Sequence, residues 1–141
     1  MRMKGIEVWA EHILSNADLR RAAHDPRAIS LNIRLNWSRS VPMSCVDEVR
    51  LTVDGEPVDP SSLTLAQGGE EHALPDWAPR DDIWWPVLEP AVLTVTPAHR
   101  LDEGEHFIEL ELRVRVPAFA PGPDGVWPTR FNRGSATAAL R

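Results

Sequence analysis

The sequence predicts an all-β protein, either an antiparallel β-sandwich or a flattened barrel with long proline-rich loops. Several segments alternate apolar and polar residues with a period of two, the pattern of strands that bury one face. Thirteen prolines against eight glycines, with few windows that favour helix, indicate strands joined by structured turns. The 141 residues suffice for one domain that buries a core without disulfides. We therefore predict a β-sandwich domain over residues 1–121 and a C-terminal extension over residues 122–141 that packs on the domain or on a partner.

The first predicted elements lie between residues 10 and 37. Residues 10–25, "AEHILSNADLRRAAHD", fit either a short helix that starts at Asn16 or an edge strand followed by a loop, and we favour the strand. Residues 29–37, "ISLNIRLNW", alternate throughout and predict a half-buried strand. Its buried face would carry Ile29, Leu31, Ile33, Leu35 and Trp37, and its solvated face Ser30, Asn32, Arg34 and Asn36.

Three further strands follow from the same alternation. Residues 49–58, "VRLTVDGEPV", predict a strand, a tight turn at Asp54-Gly55 and a short return strand around Val58. Residues 92–96 predict a strand that ends at Pro97, because proline cannot continue a central ladder. Residues 101–117 carry the longest alternation, and their charged face is predicted to be solvated. The inward residues of the first and last strands are Val49, Leu51, Val53, Ile108, Leu110, Leu112, Val114 and Val116.

The tail from Pro117 onward has the composition of a linker, since it is rich in proline and glycine. It nevertheless carries Phe119, Trp127 and Phe131. Disordered segments rarely retain such aromatic residues. We therefore expect this C-terminal extension to pack against the domain or a partner.

Net charge and cysteine usage exclude several classes of function. The formal charge of −6 argues against binding to nucleic acid or to an anionic membrane, because those surfaces require clustered Lys and Arg. A single cysteine, Cys45, rules out an internal disulfide framework. No apolar run is long enough for a signal segment or a membrane span. Together these features predict a cytoplasmic protein.

The search for catalytic or metal-binding motifs predicts neither in this chain. The five histidines show none of the spacings that place two imidazoles on one metal ion. Cys45 has no histidine near it in the sequence and is expected to be a buried apolar residue. Asp81, Asp82 and Glu89 could act as acids or bases, although adjacent acids usually mark a solvated loop. There is also no glycine-rich phosphate loop and no serine elbow.

The most unusual segment is "DWAPRDDIWWPV", residues 76–87, which has three tryptophans within nine positions. One interpretation is that some of these rings cap the core while the others lie on the loop by chance. The other is that the loop anchors another molecule, since tryptophan is enriched at interface hot spots and prolines stiffen the loop before it docks. In an extended segment Trp84 and Trp85 point in opposite directions, so we predict that one is buried and the other faces outward. The predicted partner- or substrate-facing loop residues are Trp77, Arg80, Asp81, Asp82, Trp84 and Trp85.

Residues 29–120 resemble the small β subunit of bacterial C-glycoside deglycosidases. In that family a Pro-hydrophobic-Ser-Cys-Val/Ile element precedes a V-x-VDGE-x-V hairpin, and L-x-x-G-x-H introduces the long strand. The matching positions here are Pro42-Met43-Ser44-Cys45-Val46, then Thr52-Val53-Asp54-Gly55-Glu56, and then Leu101, Gly104 and His106.

This resemblance implies a non-catalytic partner of a TIM-barrel α subunit, in a hetero-oligomer that can contain several αβ pairs. The α subunit would hold a divalent metal ion, manganese, together with the catalytic base. The complex would cleave the carbon–carbon bond between a sugar oxidised at its 3-position and an aromatic aglycone, by elimination. Two other functions remain open from the residues alone: a stand-alone carbohydrate- or aromatic-binding β-module, and a small self-sufficient enzyme that uses its His and Asp residues.

Overall fold

The computed structural model describes residues 11–116 and 122–141, and the regular secondary structure of these residues is almost entirely β. The α-helix that lies wholly within them, α1, is Leu74–Trp77; Glu11 and His12 are also helical, and single 3-10 turns occupy Met43–Cys45 and Pro60–Ser62. The strands are β1 Arg20–Arg21, β2 Ile29–Ile33, β3 Val41–Pro42, β4 Val46–Val53, β5 Glu56–Pro57, β6 Thr64–Gln67, β7 Glu70–His72, β8 Trp84–Trp85, β9 Ala91–Val95, β10 Gly104–Arg115 and β11 Thr129–Leu140.

The strands form two main antiparallel sheets and one small one. The first sheet has the order β1-β2-β9-β6-β7, and the second has the order β11-β10-β4-β5. The short strands β3 and β8 pair separately. The inner faces of the two main sheets share one hydrophobic core, and the sheets do not close into a barrel in the described residues. The predicted all-β antiparallel fold is confirmed, and of the two architectures left open by the sequence the structure has the sandwich.

The core is built by the alternation that the sequence shows. All the inward residues predicted for β4 and β10 are buried, with at most 4% of each side chain's surface exposed. β10 pairs with β4 from Ile108, opposite Val53, to Val114, opposite Val46, with one irregularity after Arg113. Because side chains alternate between the two faces of a strand, these two strands alone place a continuous apolar row against the first sheet.

The strand predicted over residues 29–37 is shorter than expected, since β2 ends at Ile33. Leu35 is nevertheless buried, and Trp37 packs partly against the core. Asn36 was predicted to be solvated, and this is wrong: it is fully buried, and its Nδ2 donates to the carbonyl oxygens of Leu112 and Arg130 at 3.2 and 3.1 Å. The chain crosses from one sheet to the other here, and an amide that bonds to backbone of the second sheet can be buried at that crossing.

A second polar residue of this segment is also buried. Ser30 lies on the outer side of β2, as the alternation predicts, but only 7% of it is exposed. Its hydroxyl forms a 2.7 Å hydrogen bond with the Thr94 hydroxyl of β9, the residue that pairs with it in the sheet. The expectation of a solvated polar face is therefore wrong at this position as well.

The N-terminal segment forms an edge strand, as favoured from the sequence. β1 pairs with β2 through Arg20 opposite Ser30 and Arg21 opposite Ile29. A helix starting at Asn16 is excluded, because Asn16 and Asp18 have positive φ values of 53° and 49° and cannot continue a right-handed helix. Residues 1–10 lie outside the described part of the chain.

The tail has the composition of a linker, but residues 129–140 have regular structure. They form β11, which pairs with β10 without interruption from Thr129, opposite Arg115, to Leu140, opposite Gly104. Its inward residues are mostly small or polar, so the apolar alternation is weak, and the strand depends on hydrogen bonds to a distant neighbour. Phe119 and the predicted boundary at residue 121 lie outside the described residues, and the division into residues 1–121 and 122–141 stays a prediction.

The predicted hairpin turn at Asp54-Gly55 is confirmed, with φ values of 51° and 84° that suit a two-residue turn. Gly55→Val should lower the free energy of unfolding by about 1–2 kcal/mol, because a β-branched residue is strained at positive φ. No atom lies within 4 Å of the position that a Cβ would occupy, so the loss reports the backbone alone. Gly55→Asn is the control, since asparagine tolerates this conformation. Equal melting temperatures for the valine variant and the unmodified protein would contradict the turn.

The same turn is held by an ion pair that responds to pH. His106 Nδ1 lies 2.5 Å from Asp54 Oδ2, and its Nε2 lies 2.7 Å from the carbonyl oxygen of Asp102. Both partners accept hydrogen bonds, so both ring nitrogens must donate, and only the imidazolium form does this. The hydrogen bond to Asp54 is the main cause that raises the pKa of His106 above its usual 6.5, and the bond from His106 is the main cause that lowers the pKa of Asp54.

His106→Gln should therefore destabilise the protein more at pH 6 than at pH 9. A raised folded-state pKa contributes stability that is present below pH 6.5 and is lost as the pH rises through the folded-state value. The lowered pKa of Asp54 sets the lower pH limit of this stabilisation. The ion pair's contribution to stability disappears as the pH falls and the Asp54 carboxylate is protonated. Melting temperatures of both proteins across this range test the prediction. A difference that does not change with pH would mean that His106 is neutral in the folded protein.

Candidate functional site

The loops at one end of the sandwich carry most of the exposed aromatic surface, and we call this the aromatic end. At this end β2 finishes and β9 begins, since Ile33 pairs with Ala91. β10 also finishes here and β11 begins, and β4 starts opposite Val114. The aromatic end therefore consists of residues 34–45, 67–70, 73–90, 116 and 122–128; residues 117–121 are outside the described part.

The paired tryptophans lie on β8 and face opposite ways. Trp85 pairs with Val41, is completely buried, and donates from Nε1 to the Glu89 carbonyl oxygen at 2.9 Å. Trp84 pairs with Pro42 and has 52% of its surface exposed. The predicted split, with one ring in the core and the other facing outward, is confirmed.

The third tryptophan of the loop is a core residue. Trp77 ends α1, is completely buried, and donates from Nε1 to the Leu65 carbonyl oxygen at 2.7 Å. His72 packs edge-on against its ring, with 4.8 Å between the ring centroids. Trp77 therefore anchors the loop in the hydrophobic core. In the isolated chain its ring is not accessible to another molecule.

Ion pairs of Arg80 fix the loop to strand β7 of the first sheet. Its guanidinium binds both carboxylate oxygens of Glu70 at 2.8 and 2.9 Å, and both oxygens of Asp82 at 2.8 and 2.9 Å. These bonds lower the pKa of Glu70 to about 2 and that of Asp82 to about 2, and they raise the pKa of Arg80. Both carboxylates are therefore ionised at neutral pH, and both bind the single positive charge of Arg80 within the chain.

Asp81 and the backbone tie the other side of the loop to the turn before β4. Asp81 Oδ1 accepts a 2.5 Å hydrogen bond from the Ser44 hydroxyl. The amides of Met43 and Ser44 donate to the carbonyl oxygens of Ile83 and Arg80 at 2.8 and 3.1 Å. Arg80, Asp81 and Asp82, predicted as partner- or substrate-facing, thus hold the loop in place in this chain. A loop fixed on both sides loses little conformational entropy when it docks.

Exposed apolar side chains concentrate at this end. In the described residues six large apolar side chains are exposed, and four of them lie on loops of the aromatic end: Trp84, Leu88, Val126 and Trp127. Phe131 lies two residues into β11 from the same end. Phe107, which is 44% exposed, is at the opposite end beside the Asp54 turn. Single exposed apolar residues are ordinary on protein surfaces, but several grouped together typically mark an interaction site.

The sequence predictions missed two exposed apolar residues of this surface and one carboxylate that holds its central loop. Leu88, with 85% of its surface exposed, and Val126 were not selected, because a lone aliphatic residue in a loop gives no signal of its own. Glu70 was missed since its partner Arg80 is ten residues away across the β7–α1 connection. The proline spacing around Trp84 could have drawn attention to Leu88, which lies between Pro86 and Pro90.

Neither a metal-binding cluster nor an exposed cysteine occurs among the described residues. No group of three or more His, Cys, Asp and Glu side chains in ranges 11–116 and 122–141 is placed to hold a metal ion. Cys45 is buried, as expected from the sequence, and burial raises the pKa of its thiol, which disfavours the reactive thiolate. In the same ranges no helix is long and apolar enough to cross a membrane.

The fold and the aromatic end define a class of protein: a small antiparallel β-sandwich that presents an apolar surface at one end. Within that class the chain belongs to the family of C-glycoside deglycosidase beta subunits, whose family model matches residues 10–118. This confirms the resemblance seen in the sequence. Membership implies an α-subunit partner and a C-glycoside substrate for the assembled enzyme.

Curated relatives support the same assignment. The chain is 37% identical over 93 residues to the 3'-dehydrocarminate deglycosidase beta subunit of a Microbacterium species, covering 66% of this chain and 70% of the relative. It is 32% identical over 92 residues to a C-glycoside deglycosidase beta subunit of Microbacterium trichothecenolyticum, covering 65% and 69%. A beta subunit of Arthrobacter globiformis is 27% identical over 108 residues, covering 77% and 80%.

Proposed function

We propose that this chain docks its aromatic end on a metal-dependent TIM-barrel α subunit and shapes the active site there without supplying catalytic groups. The observation that carries the proposal is the grouping of Trp84, Leu88, Val126 and Trp127 at one end of the sandwich. Interfaces are centred on such apolar and aromatic anchors, surrounded by polar residues. Because Arg80 and Asp81 hold the central loop rigidly, the surface is formed before the partner arrives.

The donor set at the aromatic end does not suit the divalent metal ion of this chemistry. The carboxylates of Glu70 and Asp82 are both bound to the Arg80 guanidinium. The Asp81 carboxylate accepts a hydrogen bond from the Ser44 hydroxyl. A cation placed there would have to compete with the guanidinium for the same oxygens. We therefore assign the metal, manganese, and the catalytic base to the α subunit.

The reaction proposed for the assembled enzyme is an elimination. A ketone at C3 of the sugar acidifies the proton on C2, which a base of the α subunit removes to form an enolate. The enolate electrons then form the C1–C2 double bond as the C1–aglycone bond breaks, and the aromatic aglycone leaves with that electron pair and takes up a proton. The aromatic end of this chain would exclude water from the site, which strengthens the polar interactions that stabilise the enolate.

Reconstitution from separately purified subunits tests this function. The chain alone should give no turnover of a 3-oxo-C-glycoside and no stoichiometric divalent metal by elemental analysis, whereas its mixture with the α subunit should give both. Leu88→Glu should weaken copurification with the α subunit, since it places a charge in the apolar surface. Phe107→Glu is the matched control at the opposite end and should have no effect. Turnover or a bound metal in the isolated chain would overturn the proposal.

A second function is favoured by one observation. The half-exposed ring of Trp84, held on a stiff strand, also suits stacking against a sugar or an aryl group, as in a stand-alone binding module. Tryptophan fluorescence titration of the isolated chain with an aromatic C-glycoside distinguishes the two. Saturable binding that is lost in Trp84→Ala, together with no association with the α subunit, would support the binding module instead.

A further inference from the structure

The four edges of the two main sheets are protected very differently. β1 and β5 have only two residues each, and β5 contains Pro57. β7 has three residues, two of them glutamates, and the part of β4 that extends beyond β5 carries Asp47, Glu48 and Arg50. Short length, charge and proline are the usual devices by which edge strands avoid pairing with other chains. The edge strand β11 is the exception.

β11 is long, and no described strand other than β10 covers its second half. It has twelve residues, and in the part of the chain that the structure describes its only sheet neighbour is β10. Residues 134–140, "GSATAAL", contain no charge and no proline. An uncharged edge of this length is a template for pairing with another strand.

The register shows which backbone groups are available on this edge. The Val116 amide donates to the Pro128 carbonyl oxygen at 2.9 Å, and the same pairing continues unbroken through β10 and β11. In an antiparallel ladder, hydrogen-bonded pairs alternate with pairs that are not bonded to each other. The even-numbered residues of β11 therefore bond to β10, and six odd-numbered residues direct their N–H and C=O groups to the open side: Thr129, Phe131, Arg133, Ser135, Thr137 and Ala139.

We infer that β11 pairs antiparallel with β11 of a second copy of this chain, about a two-fold axis at Ser135. This register brings only outward-directed residues into hydrogen-bonded pairs. It places Phe131 opposite Ala139 and Arg133 opposite Thr137, so each large side chain meets a small one and no like charges are opposed. The exposed Phe131 ring gains an apolar neighbour. The contact uses the same strand on both copies, which is the requirement for a closed dimer.

A second copy is favoured over a strand of another protein because the large and small outward residues of β11 complement each other when two copies pair antiparallel. Among the outward-directed residues of β11, the bulky Phe131 and the charged Arg133 lie in its first half, while those of the second half are small and uncharged. Two antiparallel copies therefore complement each other, and the two four-stranded sheets become one sheet of eight strands. The copies' aromatic ends then point away from each other along the strand direction, which leaves each free to hold its own α subunit.

Proline substitutions at adjacent positions test the pairing. The unmodified chain should sediment at twice its 15.8 kDa mass at tens of micromolar. Ser135→Pro removes an N–H that bonds only across the proposed interface, so it should give a folded monomer. Ala136→Pro removes an N–H that bonds to β10 and should lower the melting temperature instead. A monomeric unmodified chain, or a dimer that survives Ser135→Pro, would overturn the inference.

Cysteine cross-linking tests the register independently of stability. In a hydrogen-bonded antiparallel pair the two Cα atoms at position 135 would be about 5.5 Å apart, within reach of a disulfide. Ser135→Cys should therefore give a covalent dimer under mild oxidation. In Thr137→Cys the two cysteines would be four residues apart along the strands, roughly 13 Å, and should not cross-link. The native Cys45 is buried and gives little background.

The same variants distinguish the other occupants of this edge. If Ser135→Pro abolishes copurification with the α subunit while the unmodified chain is a monomer, the edge pairs with the α subunit and the inference is wrong. A monomer whose Ser135→Pro variant is unchanged in every assay would show that the edge pairs with nothing. The pairing of two copies does not depend on the proposed docking of the aromatic end, because Leu88→Glu should leave the dimer intact.

Discussion

Trp85→Ala is expected to lower the free energy of unfolding by about 3–5 kcal/mol, the usual cost of truncating a large buried aromatic residue. The Trp85 ring is completely buried in the core where β3 and β8 pair, so its removal leaves a cavity. It also removes the donor that satisfies the Glu89 carbonyl oxygen at 2.9 Å. Chemical denaturation of the purified chain, followed by circular dichroism, measures the loss.

Trp85→Phe is the matched control for that experiment. Phenylalanine keeps most of the apolar volume but has no N–H, so its loss of stability should lie between those of the unmodified protein and the alanine variant. A Trp85→Ala protein with an unchanged unfolding midpoint would mean that this ring is not part of the core. Trp84 faces outward because the adjacent Trp85 faces the core, so such a result would also contradict the outward orientation of Trp84.

Trp84→Ala should leave the fold nearly unchanged yet weaken association with the α subunit by about 2 kcal/mol or more, roughly a 30-fold rise in Kd. Half of the Trp84 ring is exposed, so its truncation creates little cavity inside the chain. Its backbone is held by the pairing of β8 with β3, so the ring is presented in one orientation. Calorimetric titration of the α subunit, with a melting curve of each variant, measures both effects.

Phe107→Ala provides the comparison for Trp84→Ala. Phe107 is a similarly exposed aromatic residue, at 44%, but it lies at the opposite end of the sandwich. If loss of any exposed aromatic residue weakened association, both variants would show it. The docking proposal requires an effect at Trp84 alone, and undiminished association and activity in Trp84→Ala would contradict it.

The strands that line the core could be predicted from the sequence because their signal is local. Alternating residues such as Val49, Leu51 and Val53 must lie on one side of any extended segment, whatever it packs against. The Asp54-Gly55 turn could also be predicted from the sequence, because few residue pairs adopt two successive positive φ values. The opposite orientation of Trp84 and Trp85 followed from the same geometry of an extended chain.

The predictions failed where a residue's environment depends on a distant part of the chain. Asn36 has the polarity of a solvated residue, and only the crossing between the sheets brings the Leu112 and Arg130 carbonyl oxygens to its amide. β11 has a weak pattern of its own, and it becomes a strand because β10 offers a complete row of hydrogen-bonding partners. Neither relation can be read from residues that are close in sequence.

By itself, the sequence determined that this protein has an antiparallel all-β fold, a sandwich or a flattened barrel, of the C-glycoside deglycosidase beta subunit type, because periodicity, turn chemistry and the family motifs are local properties. Only the tertiary structure decided in favour of the sandwich. Only the tertiary structure decided that Leu88, Val126 and Trp127 share one end with Trp84, and that Arg80 and Asp81 support the loop between them. It likewise decided that β11 lies at the edge of its sheet among residues 11–116 and 122–141. The physical reason is that an apolar surface or a sheet edge belongs to the assembled strands, whose neighbours are chosen by long-range hydrogen bonds and core packing.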